Sequence, residues 1–448
     1  MSVVSNIWNI KDLRTRILFT LGLIFICRFV AMVPTPGVNG AAIGQMLHNA
    51  QGSGGGLMGM FDLFSGGALS NFAVGTLNIW PYISAQIIIQ LMTAIIPSLE
   101  RMAREGDVGR QQLNQVTRYL TLVLCAGQSF GLAVALEKGG MFGIQNLVYA
   151  PGWGFRILTV LCMTSATMFF MWLAEQMTQR GIGNGGSMII MINIVSRLPF
   201  AITQGITAFR AGEFDFMRLI ILLILAFFVF AGTVALTLGI RRVPIHTARR
   251  AVRGGMGSSG LMTSYMPLRV NFSGVMPIIF AGPILMAVAW LCSKCNASWL
   301  SWVSDFGNSL AKGTSASYLI CYTILILFFS FFWVATQFNA VRTADDLKRS
   351  GGYIPGIRPG LPTAEFLDAT MTRVTLIGAV GLVIVAILPA IVQNWLKVPR
   401  ELAGFLGGTS LLIIIGVALD TMRQIESFLV VRNYDGFLKH GHLRGRRG

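Results

Sequence analysis

Few residues in this chain could carry out catalysis. One glycine-rich motif matches a known binding pattern, but the sequence around it does not fit that kind of site. Residues 181–186 read GIGNGG and fit the GxGxxG pattern of dinucleotide sites. They lie between two apolar runs, however, with no preceding strand and no βαβ unit, so a tight turn explains them better. The sequence contains no GxxxxGK[ST] or HExxH motif. These patterns predict no catalytic centre, no cofactor and no enzyme.

Six cysteines occur, and Cys292 and Cys295 form a CxxC pair at the end of an apolar run. Two sulfur ligands without a histidine nearby in the sequence do not make a zinc site. An outward-facing disulfide and no function at all both stay open for this pair. The other four cysteines lie inside apolar runs and are predicted to be small buried hydrophobes.

Ionisable residues inside apolar segments would mark an ion or proton pathway. Arg28 lies in the first apolar run, and Glu175 lies at the end of another. Snorkelling or a buried structural pair explains Arg28 without a transport role. No succession of Asp, Glu or His crosses the apolar segments, which disfavours coupled solute transport and hydrolysis within a membrane.

The composition places these residues in a polytopic membrane protein. The chain is 54% hydrophobic and 12% charged, whereas soluble domains carry about 25% charged residues. The predicted fold is all-α, with ten transmembrane helices. The ten windows are Ile17–Val33, Gly75–Ile96, Tyr119–Leu136, Phe155–Ala174, Gly186–Ile206, Phe216–Ile240, Phe272–Cys292, Tyr318–Phe338, Thr372–Trp395 and Gly404–Thr421.

The distribution of charge predicts the orientation in the membrane. The net charge is +17, and most of the 35 Lys and Arg residues lie in the amino-terminal segment, in alternate loops and in the tail. By the positive-inside rule, both termini are predicted to be cytoplasmic. No small-residue cleavage site follows Ile17–Val33, so the first helix is expected to be a retained anchor.

The stretch Met58–Pro97 is apolar but broken at Gly66-Gly67. It is roughly twice the length of about 20 residues that one span needs. We therefore expect a half-helix that enters from outside, then a bend, then a full span that starts near Pro81. Irregular backbone at membrane depth is tolerated only beside protein or a water-filled cavity, so a cavity is expected here.

Five of the ten windows end at or before Ile206 and five follow it, which suits two pseudo-symmetric inverted halves. The predicted divisions are a cytoplasmic segment 1–16, a first half 17–206, a second half 207–421 with cytoplasmic loops 241–269 and 339–371, and a basic tail 422–448.

The loop 241–269 carries six arginines and no acidic residue. Loop 339–371 holds Arg358 between Gly356 and Pro359. Such charges could serve only topology and attraction to anionic lipids. They could also dock phosphate-rich RNA or an acidic protein. The rigid setting of Arg358 favours docking, because topology alone does not require it.

Isoleucines are the candidate pore residues. Ile83 and Ile87 are four residues apart and share one helix face, as do Ile190 and Ile194. Periodicity alone does not show whether these faces line a cavity, pack in a core or meet lipid.

Several long motifs occur in order along the chain: MFDLFSGGALS at 60–70, PYISAQIIIQL at 81–91, EQMTQRGIGNG at 175–185, PGIRPG at 355–360 and GGTSLL at 407–412. With them, the chain resembles the bacterial SecY family, the channel subunit of the protein translocon, from about Leu13 to Arg444. The resemblance implies a clamshell of two halves with SecE-type and SecG-type subunits attached. A SecA-type motor ATPase or the ribosome would drive unfolded proteins through it.

The resemblance also implies roles for particular residues. The plug would comprise Met60, Phe61, Leu63, Phe64, Ser65, Gly66, Gly67 and Leu69. The pore ring would comprise Ile83, Ile87, Ile190, Ile194, Ile279 and Ile413. The lateral gate, where signal peptides bind and nascent membrane segments leave into lipid, would include Ile87, Gln90, Leu91, Asn271 and Ile278. Ribosome or motor docking would fall to Arg241, Arg242, Arg249, Arg250 and Arg358.

A secondary transporter that uses the broken helix as a midplane binding site is the main alternative, and an insertase without a true pore is a third possibility. Buried acidic or unpaired polar residues on facing helices would favour the transporter.

Overall fold

The computed structural model describes residues 10–38, 40, 65–137, 148–212, 216–247, 262–293, 301–311, 315–396, 398, 400–405 and 407–440. In chain order its helices are α1 Lys11–Val30, α2 Trp80–Ile95, α3 Pro97–Arg104, α4 Asp107–Glu137, α5 Trp153–Arg180, α6 Gly185–Arg210, α7 Phe216–Leu238, α8 Met276–Ser293, α9 Ser301–Ala311, α10 Ala316–Gln337, α11 Ala340–Arg349, α12 Leu361–Leu396, α13 Arg400–Phe405 and α14 Gly408–His440. The strands are β1 Ile240–Thr247, β2 Met262–Arg269 and β3 Gly352–Tyr353.

The prediction of a helical protein with many membrane spans is confirmed. Each of the ten apolar windows overlaps a helix, namely α1, α2, α4, α5, α6, α7, α8, α10, α12 and α14. Among the described residues, seven helical stretches are long and apolar enough to cross a membrane, or eight if the bent pair α2–α3 is one span. The number of ten spans stays a prediction.

Several helices extend beyond the apolar windows that predicted them. Helix α4 begins at Asp107, well before Tyr119, and α12 begins at Leu361, before Thr372. Helix α14 continues to His440, through much of the predicted tail. Hydropathy identifies only the apolar length of a helix. Backbone hydrogen bonding continues beyond it, through polar residues that are good helix formers.

Two prolines define the ends of α2. Pro81 lies in its first turn, where a missing N–H costs nothing. Pro97 forces the preceding Ile96 into an extended conformation, with φ −97° and ψ 113°. Helix α3 then leaves at 105° to α2. The expected helical run from Pro81 to Ile96 is confirmed to within one residue at each end.

A small antiparallel sheet, in the order β2-β1-β3, was not foreseen from the sequence. Strand β1 pairs with β2 along its whole length: Ile240 lies opposite Arg269 at one end, and Thr247 lies opposite Met262 at the other. It also pairs with β3, where His246 is opposite Tyr353. Since β1 and β2 come from loop 241–269 and β3 from loop 339–371, the sheet joins the two loops into one module.

The described chain forms two compact units, Met1–Phe200 with Gly416–Gly448, and Ala201–Ile415. The first has a core built mainly from α1, α5 and α6: Leu23, Cys27, Ile79, Phe170, Leu173, Ala174, Met177, Met188 and Ile189. The second has a core from α8, α9, α10, α12 and α14: Ile278, Ala281, Leu285, Ala289, Leu310, Tyr322, Ile326, Leu382, Val385 and Leu412. The predicted boundaries of the halves and their inverted symmetry stay predictions.

Gly185 determines how closely the start of α6 approaches α5. A Cβ at this position would lie 2.0 Å from the carbonyl oxygen of Ala174. The N–H of Gly185 also donates to Thr178 Oγ1 at 2.9 Å. We expect Gly185→Ala to destabilise the protein by about 2 kcal/mol or more, because backbone must move to relieve the overlap.

The midpoint of thermal unfolding of the purified protein measures this effect. Gly127→Ala is the matched control, because Gly127 lies in α4 and a Cβ there meets nothing within 4 Å. Alanine is the better helix former, so the control is expected to unfold at the same or a slightly higher temperature. Equal midpoints for the two variants would contradict the predicted overlap.

Candidate functional site

The segment that joins the plug region to α2 is a succession of turns. Its described part begins at Ser65, which is still helical, and residues 66–79 form turns and bends with one bridge from Ala73 to Pro34. Of the predicted plug residues, Ser65, Gly66, Gly67 and Leu69 are described, whereas Met60, Phe61, Leu63 and Phe64 lie outside the described residues. The half-helix was expected to run from Met58 to Ser70, but it does not continue beyond Ser65, because Gly66 and Gly67 adopt left-handed backbone. Its part before Ser65 stays a prediction.

Gly66 and Gly67 both adopt left-handed backbone, with φ values of +68° and +90°. This conformation favours glycine. A Cβ on Gly66 would lie 2.5 Å from Arg28 Nη1, and one on Gly67 would lie 3.1 Å from Arg197 Cζ. The glycine pair thus allows two guanidinium groups to approach the chain closely.

Arg28, near the end of α1, contacts this segment directly. Its Nη1 and Nη2 atoms both donate to the Gly66 carbonyl oxygen at 3.3 Å. Nη1 also donates to Oδ1 of Asn193, on α6, at 3.3 Å. Asn193 is only 3% exposed. These contacts support the structural explanation of Arg28: its half-buried side chain bonds to the Gly66 segment and to α6.

Arg197, four residues beyond Asn193 on α6, makes the second contact. Its Nη2 donates to Ser70 Oγ at 3.1 Å, and that hydroxyl donates to the Gly67 carbonyl oxygen at 2.8 Å. The guanidinium lies over the ring of Phe200, with its carbon 5.4 Å from the ring centroid. Arg197 was not singled out from the sequence, although an arginine inside a predicted span is itself a signal of function.

Backbone hydrogen bonds hold the rest of the segment against the chain that follows α1. The Thr35 N–H donates to the Phe72 carbonyl oxygen at 3.0 Å, and the Val74 N–H donates to the Val33 carbonyl oxygen at 2.8 Å. The Ala73 N–H closes a turn onto Ala68 at 2.8 Å. Together with the buried Phe72 ring, these bonds anchor residues 68–76 to the first unit.

Four of the six candidate pore isoleucines lie on two helices of the first unit, α2 and α6. Ile87 on α2 and Ile194 on α6 are buried, at 4% and 0% exposure. Ile83 and Ile190, one turn earlier, are half-buried and pack against the core of the first unit. The other two lie in the second unit: Ile279 is half-buried on α8, and Ile413 is buried on α14. A common ring of all six stays a prediction.

The predicted lateral-gate residues divide in the same way. Gln90 and Leu91 are half-buried on α2, in the first unit. Ile278 is buried in the core of the second unit. Asn271 lies in the turns before α8 rather than on that helix, and its Oδ1 lies 3.5 Å from Ser273 Oγ. The pairing of α2 with α8 stays a prediction.

Arg241, Arg242 and Arg358 are all exposed on the sheet module of the second unit. Arg242 is opposite Pro267 in the strand register, and Ile240 is opposite Arg269. The module has a buried core that includes Val243 and Leu268 from the sheet and Leu367 and Met371 from α12, and Ile357 packs against it. Arg358, next to Ile357, is therefore carried on the same small module as Arg242. Arg249 and Arg250 lie outside the described residues.

The predicted Cys292–Cys295 pair is described only in part. Cys292 is half-buried in the last turn of α8, and Cys295 lies outside the described residues. The choice between a disulfide and no function stays open.

Solved structures of protein-conducting channels share this multi-pass helical fold over most of the chain. One solved structure with this fold is a SecY protein whose plug domain stabilises the closed state of the translocation channel. It has a TM-score of 0.59 and 16% sequence identity, over 93% of this chain and 92% of that one. Sec61 in a canine ribosome-channel complex has a TM-score of 0.55 at 16% identity, over the same shares of the two chains.

The family follows from comparison of sequences. The SecY family model matches residues 73–422. Protein translocase subunit SecY of Chlamydia trachomatis is 40% identical over 100% of both chains. The Escherichia coli K12 subunit is 39% identical over 98% of this chain and 96% of its own. This chain belongs to the SecY family.

Proposed function

We propose that this chain is the central channel-forming subunit of a SecYEG-type protein translocase. It passes unfolded secretory proteins across the plasma membrane and releases membrane segments sideways into lipid. The observation that carries the proposal is the match to translocase subunits along the whole length of the chain. We propose no catalytic role for the chain itself, and a SecA-type motor ATPase or the ribosome supplies the energy for transport.

Within this function, residues 60–70 form the plug and the six isoleucines form the constriction. The anchored, turn-rich end of the plug at Ser65–Ser70 supports the first assignment. The aliphatic faces of α2 and α6 support the second, because an aliphatic ring excludes water when closed and offers no hydrogen bonds to a passing chain.

The lateral gate is assigned to α2 with Ile87, Gln90 and Leu91, and to the start of α8 with Asn271 and Ile278. An apolar signal peptide that enters between these elements would favour the open state by its own burial. A shift from 1:99 to 99:1 requires about 5.5 kcal/mol of differential binding. Burial of a few large apolar side chains, at about 2 kcal/mol each, supplies this amount.

The sheet module is the proposed docking surface for a SecA-type motor ATPase or the ribosome. Arg242 and Arg269 lie on the same face of the β1–β2 pair at diagonal positions, as the register requires. Like charges so placed destabilise a sheet. A surface that keeps them is suited to an anionic partner such as RNA phosphates or acidic side chains.

SecE-type and SecG-type subunits and membrane lipids complete the proposed assembly, with both termini of the chain in the cytoplasm. The excess of Lys and Arg in the amino-terminal segment, alternate loops and tail supports this orientation.

Reconstitution with a SecE partner and a motor ATPase tests the proposed function. We expect a secretory precursor to become protected from external protease only when the chain, the motor and ATP are all present. A precursor without its signal peptide is the matched control and is expected to stay accessible. If the intact precursor is never protected, the chain does not form the channel.

A further inference from the structure

We propose that Arg28, Asn193 and Arg197 form a latch that holds the end of the plug, residues 65–70, and sets the threshold for its departure. The inference rests on the assignment of this segment as the plug under Proposed function. The three latch residues belong neither to the proposed plug nor to the proposed pore ring, and their role is to hold the plug in place.

The latch has two arms that come from two different helices. Arg28 on α1 donates two hydrogen bonds to the carbonyl oxygen of Gly66. Arg197 on α6 donates to Ser70 Oγ, which in turn donates to the Gly67 carbonyl oxygen. The two arms therefore bind both ends of a single turn, Gly66–Ser70.

Asn193 sets the position of the first arm. Its Oδ1 accepts from Arg28 Nη1, and it lies on the same helix as Arg197, one turn away. A buried acceptor on α6 thus orients a guanidinium on α1 toward the plug. Because the side chain is ordered before it binds, less rotamer entropy is lost when the bond to Gly66 forms.

Hydrogen bonds from charged donors are stronger than neutral ones, and a low-dielectric surrounding strengthens them further. Ser65, at the start of the latched turn, is only 3% exposed. The turn therefore cannot move outward to expose Ser65 without loss of one or both arms. Loss of either arm should raise the fraction of time for which the turn is displaced.

Accessibility of position 65 measures that fraction directly. The reporter is Ser65→Cys, a nearly isosteric change, in a chain whose six native cysteines are replaced by alanine. The complete translocase complex is held in lipid nanodiscs, so that a water-soluble maleimide reaches both faces. The rate of modification then follows the population of the displaced turn.

We expect Arg28→Gln and Arg197→Gln each to raise the rate of modification about tenfold, which is about 1.4 kcal/mol in the opening equilibrium. Arg197→Lys retains one donor for Ser70 and is expected to lie between the wild type and Arg197→Gln. Arg156→Gln is the matched control, because it breaks a 2.6 Å ion pair with Glu137 in the same unit without touching the turn.

Ion conductance of the same complexes in planar bilayers separates the latch from the function on which it rests. Faster modification with higher conductance supports both. Faster modification with unchanged conductance keeps the latch but removes the role of the plug in closing the pore. Unchanged modification in both arginine variants, or an equal rise in Arg156→Gln, overturns the latch whatever the conductance.

Discussion

Replacement of Arg358 by glutamate is expected to reduce partner-driven translocation at least about tenfold while the complex stays assembled. Arg358 is exposed on a turn whose neighbour Ile357 packs on the buried core of the sheet module. The Arg358 carbonyl oxygen accepts from Thr363 Oγ1 at 2.8 Å, which fixes the turn to the start of α12. On the proposed docking surface, reversal of this charge is expected to cost about 1.4 kcal/mol or more of binding free energy. The rate of precursor protection by motor and ATP measures the loss.

Arg210→Glu is the matched control for this prediction. Arg210 is also exposed and undergoes the same change of charge, but it lies at the end of α6. The proposed topology places that end on the side of the membrane opposite the docking loops. Binding of the motor to the wild-type complex should also weaken with added salt, and less so for Arg358→Glu. Normal transport by Arg358→Glu, or equal losses in the two variants, would remove Arg358 from the docking surface.

The helices of this fold could be predicted from the sequence because their signal is local. A run of apolar residues such as Phe216–Ile240 needs no knowledge of its neighbours to be identified as a span, and α7 covers nearly all of it. The polar extensions of α4 and α14 could not be predicted in this way. They carry little hydropathy signal, so their ends depend on packing and backbone hydrogen bonding.

The sheet module was missed because its strands pair over long distances in the sequence. His246 pairs with Tyr353, more than a hundred residues later. No periodic pattern in either loop indicates the other as its partner, and arginine and proline in β1 weaken the local signal of a strand. The loop positions of Arg241, Arg242 and Arg358 could nevertheless be predicted, because charge in a loop is a compositional property, and all three are exposed.

The glycine pair shows most clearly what sequence alone leaves out. Gly66-Gly67 was interpreted as a break in a helix, and the described chain is non-helical from Gly66 to Ile79. The structure adds the cause: guanidinium groups from α1 and α6 lie where a Cβ would be. Only the tertiary fold brings Arg28 and Arg197 together, since they are far apart in the chain and come from different helices.

Replacement of both Ile83 and Ile190 by glycine is expected to raise the ion conductance of the closed complex at least about tenfold. The two side chains are half-buried on α2 and α6, and both pack against the same core. Their removal would widen the proposed constriction and allow water to enter it. Water lowers the barrier to ions, and each 1.4 kcal/mol corresponds to about a factor of ten in rate. Conductance in planar bilayers without a translocating chain is the measurement.

The double variant Ile88→Gly with Val195→Gly separates the constriction from the effect of glycine on the helices. Ile88 and Val195 lie on α2 and α6 and are exposed, so the same two helices receive the same residue on different faces. Glycine costs each helix about 1 kcal/mol relative to alanine at either position. If leak arises only from loosened helices, both double variants should conduct alike, and Ile83 and Ile190 would not belong to the constriction. If the leak depends on which helix face is changed, only the Ile83→Gly, Ile190→Gly variant should show raised ion conductance. The constriction would then include residues from both α2 and α6.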